Sequence, residues 1–483
     1  MIGEEPESLS HLRDSCCLHV APPTAYDGGM KSIVALLALA LLLHAGPLAA
    51  QVTVVQPVKS TPVWTYSFPG TACIATDYSD VPARPFLVGP GNTVLWFASN
   101  SSGSFASVGV SSSPDMLASL QRGTAAGAGC VSWLPATNYP GSVPGSYNTG
   151  LWMVAPFTPD GINIQALVHN EFHGEWASRW FCWLMSQSIY LPCNYWNIVS
   201  ASSTDGGNSF NPRLGLNAGN LMPAIALGQP YQRPDAPQAS PANQPQGITA
   251  QSNILEINGS YYVLVQQLPY QPPAPAPPVA KSGVCLYRAA IPAQPTQPLV
   301  WLGWGPNSNG QGYGYNVAVP TSYPANAALP LCQPVLGVPF RFSWSFNKTL
   351  NQLIIIGQDT LSAMAGKKIS TEGCPSAPGV TTPDSAFVYM TATLSAAGQL
   401  GTVTSETCLL LINSIGNWAA NLSPTGQAYP SLLDPASPTL TAGDRNFQYS
   451  GAQPYLYYTQ LNAKAAGNGN DRDLVRVPLA VAP

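Results

Sequence analysis

Charge is scarce in this chain. Of 483 residues only 18 are Lys or Arg and 22 are Asp or Glu, 8% in all, against about 25% in ordinary soluble proteins. No basic cluster is present that could track a phosphate backbone, which excludes nucleic acid as a partner. Histidine is nearly as rare: beyond residue 50 only His169 and His173 remain. No C-x-x-C pair occurs, so zinc ribbons and thioredoxin-like motifs find no support. Helical periodicity is almost absent, and only the 363–369 region reads as a turn of helix. There is one long apolar run, residues 32–43, which follows Lys31 and leads into small residues up to Ala50. A positive start, a short hydrophobic core and a small-residue end make a secretory signal, too short for a membrane anchor. Met30 reads as its first residue, residues 1–29 as an upstream extension, and 51–483 as a chain released outside the cytoplasm, secreted or periplasmic.

Turn formers and β formers are abundant instead. The sequence has 43 Gly and 49 Pro, yet 45% of it is hydrophobic and 10% aromatic. That mixture suits an all-β fold and not a disordered tail. Cys16 and Cys17 fall in the leader, and the remaining cysteines form an even set, which in an exported chain reads as disulfides. Cys182 and Cys193 bracket a loop that a disulfide could close; the spacing leaves the pairing of Cys73, Cys130, Cys285, Cys332, Cys374 and Cys408 open. Asn100, Asn258, Asn347 and Asn421 fit the glycosylation acceptor pattern.

A short strand, a tight turn and a longer β-rich strand recur five times. The short strands are residues 84–88, 152–157, 254–257, 340–346 and 445–449, and the longer ones begin at 93, 163, 261, 352 and 454. Further strands are expected at 195–203, 284–291, 387–394 and 474–481. Units of several antiparallel strands repeated at large intervals describe a β-propeller, here a single all-β domain of five blades. Proline-rich stretches at 223–246 and 268–280 read as extended surface excursions.

Four groups of residues carry candidate chemistry. Ser203, Asp205, Gly207 and Phe210 fit the Asp-box pattern Ser-x-Asp-x-Gly-x-Thr/Ser-aromatic, a turn in which the carboxylate takes backbone N–H bonds and the aromatic ring packs inward. His169, Glu171 and His173 alternate along a strand and share one face. Three readings of that face compete: Glu171 as a proton donor or base tuned by His169, a divalent metal held by His169 and His173, or a structural cluster. Asp80 and Arg84 enter the first channel strand, and Arg341 and Arg445 hold nearly matching places in the fourth and fifth copies. Three guanidinium forks could converge on one carboxylate, or each could pair locally. Asp434, in a loop, is a third acid.

These features together resemble five-bladed propeller glycoside hydrolases, and the Asp box is similar to that of sialidases. The resemblance implies a carboxylate base on the first blade, matched by Asp80, and a glutamic acid donor on a later one, for which Glu171 is the nearest residue. In the sialidase variant Arg84, Arg341 and Arg445 would form a substrate-binding triad. The expected protein is carbohydrate-active, hydrolysing a glycosidic bond with two carboxyl groups and no cofactor; the alternative is a propeller that binds glycans or proteins without chemistry.

Overall fold

A strand with apolar side chains on both faces needs neighbours on both sides. In the computed structural model this need is met by small antiparallel sheets set side by side. The structure describes residues 50–65, 79–100, 103–109, 115–122, 150–173, 194–212, 223–225, 246–249, 251–268, 282–307, 313–318, 332–337, 340–396, 398–414, 426–461 and 472–483.

The chain begins with β1 (Gln51–Val54) and β2 (Thr61–Trp64), then forms a first blade from β3 (Phe86–Val88), β4 (Thr93–Asn100), β5 (Gly103–Gly109) and β6 (Leu120–Arg122). The second blade is β7 (Leu151–Phe157), β8 (Ile164–His173) and β9 (Asn194–Ser203), edged by β10 (Asn211–Pro212) and β11 (Pro223–Ile225). In the third, β12 (Gln246–Thr249) and β13 (Leu255–Ile257) both pair with β14 (Ser260–Leu268), followed by β15 (Gly283–Ala290), β16 (Leu302–Pro306) and β17 (Tyr313–Ala318); β12 also pairs in parallel with β9, so the second and third blades share one continuous sheet. The fourth has β18 (Phe340–Asn347), β19 (Gln352–Thr360), the short helix α1 (Leu361–Gly366) and β20 (Ser385–Leu394), with β21 (Leu400–Val403) and β22 (Thr407–Ile412) both on β20. The last comprises β23 (Gln427–Leu433), β25 (Tyr455–Leu461) and β26 (Arg472–Ala482); between β23 and β25 the chain forms the helical turn α2 (Ser437–Leu440) and β24 (Tyr449–Ser450), which joins the sheet of the fourth blade beside β18. In the last blade β26 also receives the two N-terminal strands, with Gln51 opposite Ala482 and Thr61 opposite Arg476.

Alternation along each second strand feeds two cores at once. On β19, Leu353 and Ile355 pack towards the third blade while Ile354 and Ile356 pack towards the fifth. On β4, Leu95 and Phe97 meet the second blade, and Val94 and Trp96 meet Leu433, Tyr457 and Leu474 of the fifth. A fifth core, around Tyr261, Val263 and Phe157, joins blades two and three. Five cores therefore lie between five blades, the arrangement of a five-bladed propeller. Polar side chains staple the innermost strands to the preceding blade: Met153 N donates to Ser99 Oγ (2.8 Å), Trp344 N to Asn253 Oδ1 (3.1 Å) and Leu432 N to Ser343 Oγ (2.9 Å). These bonds satisfy edge N–H groups that have no ladder partner.

The first four hairpins turn where the sequence indicates. Asn92, Asn258 and Asn351 take φ of 51°, 51° and 53°, and Gly161 takes 80°, the left-handed conformation that Asn and Gly tolerate best. The fifth repeat differs from expectation. Its inner strand is Gln427–Leu433, not residues 445–449, which instead run beside β18 of the fourth blade, Phe346 opposite Tyr449. No tight turn links β23 to β25; two aspartates stitch a long excursion instead. Asp434 accepts Ala436 N (2.9 Å) and Gly451 N (2.8 Å), and Asp444 accepts Ser437 Oγ (2.5 Å), Asn446 N (2.9 Å) and Gln448 N (3.0 Å).

That excursion touches every other blade. Leu87 N of the first blade donates to Arg445 O (2.7 Å). Asn446 exchanges two 2.8 Å bonds with the backbone of Thr158 at the end of β7. Gln448 Oε1 accepts Glu256 N from β13, and Phe346 N of β18 donates to Gln448 O (3.0 Å). The segment thus spans the inner strands at the hairpin end of the propeller, like a plug in a channel.

Disulfides link Cys285 to Cys332 and Cys374 to Cys408. Cys73, Cys130, Cys182 and Cys193 lie outside the described residues, as do residues 226–245 and 269–281 of the proline-rich stretches. Asn347 is fully buried and its Nδ2 donates to Gly451 O (2.7 Å), so it offers no attachment point for a glycan. Among the described residues no helix is long and apolar enough to cross a membrane.

Candidate active site

With the plug at the hairpin end, the opposite end of the propeller is where the second strands finish. Apolar residues give way there to polar ones in every blade: Ser99, Asn170 and Glu171, Gln266 and Gln267, Asp359, and Thr459. Ser99, Asn170, Gln266, Gln267 and Thr459 are buried at this end.

Asp80 lies just ahead of β3, its N–H on Ser99 O (2.9 Å). Its carboxylate takes Arg472 Nη1 at 2.5 Å and the phenol O–H of Tyr429, both on Oδ1. Oδ2 has no protein donor among the described residues. Arg472 is fully buried, whereas 9% of the Asp80 side chain is exposed. Removing one partner of such a buried pair typically costs about 3–5 kcal/mol, because the other charge is stranded. Four residues on, Arg84 is buried too; its Nη1 donates to Ala83 O (2.8 Å) and Ser431 Oγ (2.7 Å). Burial pulls the Arg84 pKa down to about 9.

Glu171 lies near the end of β8 opposite Trp196, with its N–H on Gly150 O (2.9 Å). Its Oε1 meets His169 Nε2 at 2.9 Å, and 18% of its side chain is exposed. The His169 ring sits between Trp152 and Trp196, both at 5.6 Å between centroids. Trp152 also packs on Val81, the neighbour of Asp80. A contact chain therefore runs from Asp80 through Val81, Trp152 and His169 to Glu171, at one end of adjacent blades. His169 Nδ1 is buried with no hydrogen-bond partner among the described residues, which favours the tautomer carrying its proton on Nε2, donated to Glu171.

The other sequence-derived residues are dispersed. Arg445 lies at the plugged end, where its Nη1 donates to Asn92 Oδ1 (3.0 Å) and Gly89 O (3.3 Å), so it is not brought together with Arg84. Asp434 is at that end as well, following β23, and burial raises its pKa. The side chains of Arg341 and His173 lie outside the described residues. Among the described residues no group of three His, Cys, Asp or Glu is placed to hold a metal.

The Asp box also sits at the plugged end. Asp205 Oδ1 accepts Ser203 Oγ (2.7 Å) and Ser209 N (2.9 Å), and Oδ2 accepts Ser209 Oγ (2.6 Å). Burial works against ionisation of Asp205, but these bonds outweigh it and hold the carboxyl below its ordinary range. Phe210 is buried edge-on against Phe97, 5.4 Å away. A cavity of about 340 Å³ lies beside the box, between Gly89, Pro90, Ile162 and Gly206, on the face opposite Asp80. Sequence reasoning did not single out Tyr429 as a partner of Asp80. Arg472 and Arg476 both make ion pairs that tie the last strand to the first blade, the former on Asp80 and the latter on Asp115 at 2.7 Å.

No protein-family profile matches the chain, and no curated protein matches it. Among solved structures the chain is similar to the catalytic domain of a GH62 α-L-arabinofuranosidase from Coprinopsis cinerea, with a TM-score of 0.38 and 10% identity over 87% of this chain and 96% of that one. It is also similar to the α-L-arabinanase of Cellvibrio cellulosa, with a TM-score of 0.33 and 9% identity over 82% and 91%. A Trypanosoma rangeli sialidase gives a TM-score of 0.27 and 9% identity over 89% and 60%.

Proposed function

We propose that the protein is an extracytoplasmic glycoside hydrolase in which Asp80 and Glu171 are the two working carboxyl groups. The observation that carries this reading is the state of Asp80: one carboxylate oxygen is held by two donors and the other has no donor among the described residues, at the same end of the propeller as Glu171, whose partner His169 sits between two tryptophans. Paired with Arg472, Asp80 is an anion, suited to take a proton from water or to stabilise positive charge at the anomeric carbon. Glu171 meets His169 Nε2 through Oε1, and in this reading it is the acid that delivers a proton to the departing sugar oxygen. Trp196, partly exposed, supplies an aromatic ring on which a sugar can stack. The two carboxyl groups suffice for this chemistry without a cofactor. The signal segment and the two disulfides support export.

The test is turnover of a panel of 4-nitrophenyl glycosides, an α-L-arabinofuranoside among them, by the wild type, D80N and E171Q. Each variant is expected to stay folded and lose about 10²–10⁴-fold in rate. Full turnover by either variant refutes the assignment of that residue. The buried Asp80–Arg472 pair also joins the first blade to the last, a role that needs no chemistry, and it favours a second reading as a glycan-binding propeller. Retardation of the wild type in polysaccharide-loaded gels, with no turnover of the whole panel, would select that reading.

A further inference from the structure

We infer that Tyr429 is a positioning residue, whose strained backbone and phenol O–H fix the rotation of the Asp80 carboxylate so that Oδ2 is the oxygen offered to a ligand. The inference rests on the proposed reading of Asp80 as a working carboxylate.

Tyr429 has φ of 60°. A bulky residue in this left-handed region costs roughly 1–2 kcal/mol, and such strain persists only where the surroundings over-determine it. The cause is local: β23 carries a register shift between Ala428 and Ser431. Packing alone does not explain the residue. The ring is buried with Ala428 and Leu461, contacts that a phenylalanine would make equally well, whereas the O–H reaches a residue 349 positions away in the chain.

The geometry at Asp80 shows what the extra donor adds. Arg472 engages the carboxylate through Nη1 on a single oxygen, not as a two-pronged fork that would occupy both. One donor leaves a carboxylate free to swing about its Cβ–Cγ bond. A second donor on the same oxygen, arriving from a different strand, removes that freedom and keeps Oδ2 unoccupied. Two residues further along the same irregular segment, Ser431 Oγ accepts Arg84 Nη1. The distorted part of β23 therefore grips the 80–84 segment at both ends, and Leu432 N anchors it to Ser343 on the other side.

The experiment compares wild type, Y429F and D80N on the best substrate from the glycoside panel, with kcat and KM measured separately and thermal melts. For Y429F we expect kcat to fall about 10–100-fold, the size of effect produced by slight misplacement of a reacting group. KM and the melting temperature should change little, since the ring remains. A Y429F enzyme with wild-type kcat overturns the inference. So does a fall in kcat accompanied by a lower melting temperature or a matching rise in KM, which would mean general loosening. If D80N itself retains full turnover, the reading of the site has failed, and that outcome is distinct from a failure confined to Tyr429.

Discussion

Replacing Asn446 by Asp tests the plug with almost no change of shape. The Asn446 side chain accepts Thr158 N through Oδ1 and donates to Thr158 O through Nδ2, both at 2.8 Å. Thr158 is fully buried, so water cannot replace either bond. A carboxylate keeps the first bond, loses the second and sets a negative oxygen against a carbonyl. The lost bond is worth about 1 kcal/mol and the stranded carbonyl about 1–3 more, giving ~2–4 kcal/mol. At roughly 2.1 cal/mol/K per residue, a domain of this size unfolds with an entropy near ~0.9 kcal/mol/K, so the melting temperature should drop by about 2–4 °C at pH 7. Below the ordinary carboxyl value of about 4 the new group is protonated and can donate again. The difference from wild type should therefore shrink in acid. Circular dichroism melts at pH 7 and in the acid range measure both quantities, and turnover should be retained, since the plug lies at the end opposite Asp80. An unchanged melting temperature at pH 7, or a deficit that does not vary with pH, would refute the claim that these two bonds hold the plug to the second blade.

D205A should melt at a lower temperature with turnover retained, because Asp205 ties its own turn and lies far from Asp80. Asp160 and Asp205 both titrate below their ordinary range: burial opposes this, but bonds from Asn163 and from Ser209 and Ser203 outweigh it. The stability they contribute is present above the unfolded carboxyl value and is lost as pH falls through their folded values, so the gap between wild type and D205A should close below about pH 4. Glu256 behaves oppositely, its pKa raised by burial and then by Asp444. Its charge weakens the fold above that raised value, so E256Q should melt higher than wild type at pH 7, and the advantage should fade as acid protonates the native glutamate.

The five second strands are legible in the sequence because each is apolar on both faces and reads as an unbroken run, from 353–356 on β19 to 261–265 on β14. Four hairpins are legible because an Asn or Gly must occupy the left-handed position of a tight turn. The fifth is hidden for the same reason: its link is stitched by Asp434 and Asp444, which leave no turn signature, and residues 445–449 mimic a short strand. At the site, Asp80 stands out in a chain so poor in charge, and the alternation of His169 and Glu171 puts them on one face. Their setting is not local. Tyr429 meets Asp80 across 349 residues and Arg472 across 392, and no spacing rule connects residues that only the ring of blades brings together. Arg445 illustrates the converse, since its place rested on an assumed inner strand that the chain builds elsewhere.

The pairing of Gln51 with Ala482 has a consequence for how the protein is made. Two strands of the last sheet are synthesised first, and their partner strand is synthesised last. At about 5–20 residues per second, β1 and β2 wait roughly 20–80 s for β26. Throughout that time Val52, Val54, Val63 and Trp64, all buried in the finished molecule, lack Leu474, Val475, Val477, Leu479 and Val481 of β26, which complete their cores. These two strands thus depend longest on a partner not yet made, and the eleven residues of β26 decide when that dependence ends.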